Sequence, residues 1–200
     1  MDPISKLCEL FGKFPGIGPR QAKRFMYFIL KSDNQFIDNL QETITSLRSN
    51  IRQCEFCLRY FIPQKNDGAT CKLCVSPLNK KSILIIEKDI DLENIHKSGA
   101  YNGYYFIIGG LLPILEKEPE TLIRINELNE RLRDNIDITE VILALSASPL
   151  GDNTVDYLKI ELANLGRHVK VSSLGRGLST GAELEYSDHH TLAEALKNRG

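Results

Sequence analysis

Apolar positions change their period along this chain. From residue 4 to residue 47 they recur every three or four: Ile4, Leu7, Cys8 and Phe11, then Phe25, Phe28 and Ile29, then Phe36, Ile37, Leu40, Ile44 and Leu47. That spacing predicts helices over 4–12, 17–31 and 35–50. From Ser82 onward the apolar residues come as short continuous runs, Ile83–Ile86, Tyr104–Ile108 and Val141–Leu145, with His168–Ser172 as a fourth, weaker run. Continuous runs of this length are the mark of strands buried on both faces. Helical patterns fall between them, over 89–98, 119–133 and 154–165, and a short stripe of Leu192, Ala193, Ala195 and Leu196 predicts a closing helix over 190–198. Strands that alternate with helices argue an α/β fold with a parallel sheet covered on both faces. Function in such sheets collects at the carboxyl ends of the strands, here Glu87, Gly109-Gly110, Ser146-Ala147-Ser148 and Ser173-Leu174.

Between the two patterns lies a cysteine quartet. Cys54 and Cys57 form one CxxC, Cys71 and Cys74 a second, and thirteen residues separate the pairs. Each CxxC is a tight turn that aims two sulfurs at one point, and Pro63 and Asp67-Gly68 let the intervening loop fold back. Four thiolates predict a closed structural Zn2+ site that orders its loop and does no chemistry. The plain alternatives are two disulfides or four inert buried thiols. Cys8 remains as a lone thiol, expected as a small core residue, and the thiol usage fits a reducing, cytoplasmic setting.

The first two helices are joined by Phe14-Pro-Gly-Ile-Gly-Pro-Arg20. Pro15 is expected to stop the first helix, and Pro19 suits the first turn of the next. Gly16 and Gly18 permit a tight turn whose free amides sit at a helix N-terminus, a natural seat for a phosphate oxygen. Arg20, Lys23 and Arg24 share one helical face beyond it. Residues 1–31 hold six Lys or Arg against two Asp or Glu, an excess of four positive charges in a chain whose net charge is −1. A solvated face is the ordinary reading of such a run. Joined to the glycine hairpin, it predicts a helix-hairpin-helix that contacts the nucleic-acid backbone through Gly16, Gly18, Arg20, Lys23 and Arg24, with little reading of bases.

Other features change the picture less. No run of 18 apolar residues occurs, and the first residues lack a basic leader pattern, so neither a membrane span nor a signal peptide is expected. Ser76–Lys81 is polar and rich in turn formers, which places a domain boundary there. His96, His168, His189 and His190 show no ligand spacing. The tail Gly175–Tyr186 is glycine-rich but lacks a phosphate-loop lysine, so it reads as a loop shaped for packing or subunit contact and not as a nucleotide cradle.

Taken in order, these modules resemble the bacterial recombination mediators of the RecR family. The residues that carry the resemblance are the hairpin words of 14–20, the cysteine quartet, Glu140-Val-Ile-Leu-Ala144 and Arg176-Gly-Leu-Ser-Thr-Gly-Ala-Glu-Leu-Glu-Tyr186. The resemblance implies a helix-hairpin-helix region over 1–53, a zinc finger over 54–76, a Toprim domain over 82–173 and an oligomerising tail over 174–200. It implies a homo-oligomer, dimer or tetrameric ring, around DNA, in the nucleoid, with RecO and in some lineages RecF as partners. It places Glu87 and Asp91 at the acidic positions of the first Toprim motif. Leu150 stands where the family usually has glutamate, and Asp152 alone keeps a carboxylate in that loop. Glu116-Lys-Glu-Pro119 replaces the family's Asp-Gly-Ile-Gly.

Three functions follow as candidates. One is a non-enzymatic DNA-binding scaffold for recombinational repair that helps load recombinase on single-stranded DNA. A second is a magnesium-dependent Toprim nuclease or primase-like enzyme using Glu87, Asp91 and Asp152. Catalytic Toprim domains hold the hard cation with a glutamate and a later DxD, and here that later position reads Ser146-Ala-Ser148, so the scaffold is favoured. The third is a zinc-ribbon interaction protein without DNA contact.

Overall fold

The first helix, α1 (Pro3–Phe11), opens on Asp2, whose Oδ1 accepts the Ser5 amide at 3.1 Å, with Pro3 in the first turn. In the computed structural model, residues 2–64, 68–178 and 180–199 are described, His190 by its backbone alone. Asp67 of the expected loop turn and Ser179 of the glycine-rich tail lie outside the described residues. The chain divides into two compact units, Met1–Ile51 and Arg52–Gly200.

In the first unit, α1 ends at Gly12, so the helix stops before Pro15 is reached. α2 (Pro19–Lys31) packs back on α1, with Phe11 edge-on to Phe25 at 5.7 Å. The buried seam of α2 is Ala22 and Met26, while Phe28 is exposed and meets Phe36 edge-on. Cys8 is only half-buried. α3 (Asn34–Asn50), capped by Asp33, buries none of its side chains: the apolar stripe of Phe36, Leu40, Ile44 and Leu47 faces outward.

In the second unit a small antiparallel hairpin, β1 (Arg52–Gln53) and β2 (Tyr60–Phe61), and a one-turn helix, α4 (Lys72–Val75), carry the cysteines. There follow β3 (Asn79–Ile86), α5 (Asp89–Ser98), β4 (Gly103–Ile107), α6 (Pro119–Leu122), α7 (Ile125–Asp134), β5 (Glu140–Ala144), α8 (Pro149–Ala163) and β6 (Lys170–Ser173). A short 3-10 turn, Leu184–Tyr186, and α9 (His189–Lys197) close the chain. In the four-stranded sheet every pairing is parallel, in the order β4-β3-β5-β6. Asn79–Lys81, expected as connection, already belongs to β3.

Alternation along β3 sorts the core. Ile83 and Ile85 face Phe106, Val141 and Leu143, with Leu128 and Leu132 of α7 and Leu158 and Leu162 of α8. Leu84 and Ile86 face the other way, onto Tyr105, Ile107, Leu92 and the four cysteines. The sheet is thus covered on both faces, but part of one cover is the cysteine module.

Two helices differ from the pattern. The expected helix 119–133 is broken at Ile123, which turns extended, buries its side chain, and leaves the Arg124 amide to bond Ile108 O at 2.8 Å. Tertiary bonding outweighs helical continuity there. α8 begins at Pro149, five residues before the expected 154, because Ser148 caps it by accepting the Gly151 amide at 3.1 Å.

Candidate functional site

Two regions carry chemistry. The first is the α1–α2 turn. Phe14 N–H donates to Phe11 O and Ile17 N–H to Phe14 O, which closes the turn around Gly16 at φ +77°. A left-handed residue is required there, and glycine takes that conformation without a Cβ clash. Gly18 is the N-cap of α2 in extended conformation and supplies no side chain. The first helical bond runs from Ala22 N–H to Gly18 O, so the Arg20 and Gln21 amides precede it. Arg20, Lys23 and Arg24 are all exposed, and the Arg24 guanidinium donates to Gln21 Oε1 at 3.4 Å. The structure brings the glycines and the three cations together on one helix start.

The second region is the cysteine module. All four cysteines are buried, and their sulfurs lie within 4.8 Å of one another. Cys57 Sγ is 3.7 Å from Cys71 Sγ, which is 3.8 Å from Cys74 Sγ. Four sulfurs placed tetrahedrally at about 2.3 Å from an ion stand about 3.8 Å apart. The quartet therefore fits a single metal ion. Its local bonds are those of two knuckles: Cys54 N–H to Arg59 O at 2.8 Å, Leu58 N–H to Cys54 O at 3.0 Å, and Cys71 N–H to Cys54 Sγ at 3.2 Å. Hydrogen bonds from Cys57, then Cys71 and Cys74, push the Cys54 thiol far below the thiol range. Cys57 and Cys74 are pushed up, first by their bonds to Cys54. Cys71 is pulled upward by Cys54 but is brought down to about 7 by Cys57 and Cys74. Full ionisation of all four needs a cation among them.

The acidic positions are dispersed in local roles. Glu87, at the carboxyl end of β3, pairs with Lys88 Nζ at 2.7 Å and raises that ammonium above the lysine range. Asp91 caps α5, accepting the Lys88 amide at 3.1 Å. Asp152 pairs with Arg176 of the tail and raises its pKa. Among the described residues, the cysteines are the one group of three or more His, Cys, Asp or Glu side chains placed to share an ion.

Three segments match known family models: residues 4–48 one described as RecR, helix-hairpin-helix, residues 81–174 the Toprim domain, and residues 177–199 RecR, C-terminal. A protein named "Recombination protein RecR" from Dehalococcoides mccartyi is 34% identical over 98% of this chain and 93% of its own length. The chain belongs to the RecR family. A RecR of Bdellovibrio bacteriovorus is 32% identical over 98% of this chain and 96% of its own, and one of Prochlorococcus marinus 36% over 98% and 94%. The expected helix-hairpin-helix, Toprim domain and parallel sheet are all present. What the sequence pattern did not disclose in this RecR-family chain is the set of arginines around its chemistry. Arg176 answers Asp152 from 24 residues away, and Arg124 and Arg131 reach the cysteine loop from 66 and 76 residues away. No local period or spacing encodes such partners.

Proposed function

We propose that the protein is a non-enzymatic DNA-binding scaffold in recombinational DNA repair. In this reading it works in the nucleoid of the cytoplasm with a RecO-type partner and, in some lineages, a RecF-type partner, and helps load recombinase on single-stranded DNA. The observation that carries the reading is the α2 start: Gly16 and Gly18 hold a turn without side chains beside the exposed Arg20, Lys23 and Arg24. Backbone amides and guanidinium groups there would donate to backbone phosphates whatever the base sequence. The engagement of Glu87 by Lys88, of Asp152 by Arg176 and of Asp91 in a helix cap supports a scaffold over a magnesium enzyme. Zn2+ suits the four-sulfur shell of Cys54, Cys57, Cys71 and Cys74, since it favours closed tetrahedral thiolate sites. The outward apolar stripe of α3 and the exposed Leu184 and Tyr186 of the tail support a homo-oligomer, a dimer or a tetrameric ring, in which several hairpins act on one DNA.

The decisive test is the double variant Arg20→Ala with Arg24→Ala. Its affinity should fall alike for all DNA sequences, and the slope of log affinity against log salt should shrink by about two per engaged subunit. Metal content and folding should stay unchanged. Parent-like affinity and slope would make the hairpin a structural turn.

A further inference from the structure

The Cys54–Cys57 knuckle is gripped from outside its own loop. Glu55 O accepts from Arg131 Nη2, Cys57 O accepts the Ile107 amide at 2.9 Å, and Leu58 O accepts from Arg124 Nη1 at 3.4 Å and from Gln53 Nε2 at 2.9 Å. The Arg131 guanidinium also lies over the Phe56 ring at 4.8 Å from its centre, and that ring stacks on Tyr104 at 4.5 Å. Arg124 reaches further, donating to Ile107 O at 3.2 Å and lying against Gly109, where a Cβ would stand 3.2 Å from its Nε. Leu58 itself is left-handed at φ +62°, a strained conformation for a non-glycine residue that persists only where neighbours hold it.

We infer that Arg124 and Arg131 are positioning residues of the metal centre, holding the Cys54–Cys57 knuckle in ligating shape and tying metal occupancy to the carboxyl end of β4. The inference rests on the reading of the quartet as a metal site. Two physical effects act together. The arginines fix the carbonyls beside Cys57, so less ordering is left for the ion to impose. They also place two cations beside a centre whose four thiolates and one divalent ion sum to a charge of −2. Outer groups of this kind commonly alter metal affinity by about 10–100-fold. Coupling between binding events is reciprocal, so an ion that favours the gripped knuckle also favours the Arg124 position against Ile107 and Gly109. The Gly109 amide, which donates to Glu87 O at 3.1 Å, reports that end of the sheet.

The test uses the full chain and Zn2+ in competition with a chromophoric chelator. Arg131→Ala should weaken Zn2+ binding by about tenfold or more, and Arg124→Gln by a similar factor. Arg131→Lys should fall between parent and Arg131→Ala, since lysine keeps charge but loses the planar fork and the ring stacking. Arg133→Ala, an exposed change on the same helix, should bind as the parent does. The parent alone gives a second measurement: stripping Zn2+ should speed hydrogen exchange at the Gly109 amide more than at the Val141 amide inside the sheet. Parent-like affinity in both Arg131→Ala and Arg124→Gln would overturn the inference, as would Gly109 exchange insensitive to Zn2+ in the parent. A parent that takes up no Zn2+ would instead overturn the metal reading on which the inference rests.

Discussion

If the α2 amides seat a phosphate as proposed, replacing Gly18 by serine should set stability and DNA binding against each other. Gly18 is the N-cap of α2 at φ −81° and ψ 170°, a conformation open to any residue, and nothing lies within 4 Å of a Cβ built there. A serine hydroxyl can accept an amide of the first turn, so Gly18→Ser should leave stability unchanged or raise it by a few tenths of a kcal/mol. The same hydroxyl occupies the amides offered to a phosphate, and the new side chain stands in its approach. Loss of one hydrogen bond to a charged oxygen is worth about 1.5–3 kcal/mol, or a weakening of roughly tenfold or more in Kd. Gly16→Ala makes the contrast. Its φ of +77° leaves no clash within 4 Å but strains an alanine by about 1–2 kcal/mol, so its first effect is on folding. Urea denaturation followed by circular dichroism and titration of a fluorescent oligonucleotide read the two quantities separately. If Gly18→Ser binds DNA as tightly as the parent while its stability is unchanged, the α2 amides do not seat a phosphate.

On the proposed metal reading, where metal affinity is folding energy, Cys57→Ser should abolish metal uptake and lower the stability of the second unit by several kcal/mol; metal analysis and thermal melts check it. Thr154 is fully buried, its Oγ1 accepting the Leu112 amide at 2.8 Å and donating to Leu150 O at 2.7 Å. Thr154→Val strands that amide and should cost about 1–3 kcal/mol, seen as a lower urea midpoint at unchanged slope. Tyr101 is pushed up to about 12 from 10.0, first by burial. The unfolded phenol ionises at the lower pH, so this contribution is whole below pH 10 and is lost as pH rises from 10 to 12; Tyr101→Phe should flatten that alkaline decline in a stability–pH profile.

The strands were legible because Ile83–Ile86 and Val141–Leu145 are apolar without a break, and only a sheet covered on both sides asks for that. The cysteine quartet and the glycine hairpin were legible because short-range spacing alone defines them. The start of α8 was written in Ser148-Pro149, a cap followed by a first-turn proline, but apolar periodicity pointed to Thr154. The break at Ile123 had no local sign: a bond from the Arg124 amide to Ile108 O decides it. The packing of the cysteines on Leu84 and Ile86 was hidden for the same reason. Which element covers a sheet face is settled by chain segments far apart in sequence. The carboxylates Glu87, Asp91 and Asp152 were legible as positions, whereas their cationic and capping partners emerge only once the chain has folded.

The knuckle also closes a border. β4 is an outer strand of the sheet, and an outer strand offers its open backbone groups as a template to any other chain. At Ile107 that border is shut on both counts, the amide by Cys57 O and the carbonyl by Arg124. The cysteine module and Arg124 therefore block strand addition to β4 at that point. On the proposed metal reading, stripping the ion should loosen that cover, and light scattering from metal-stripped protein should rise with time while the metal-loaded form stays clear.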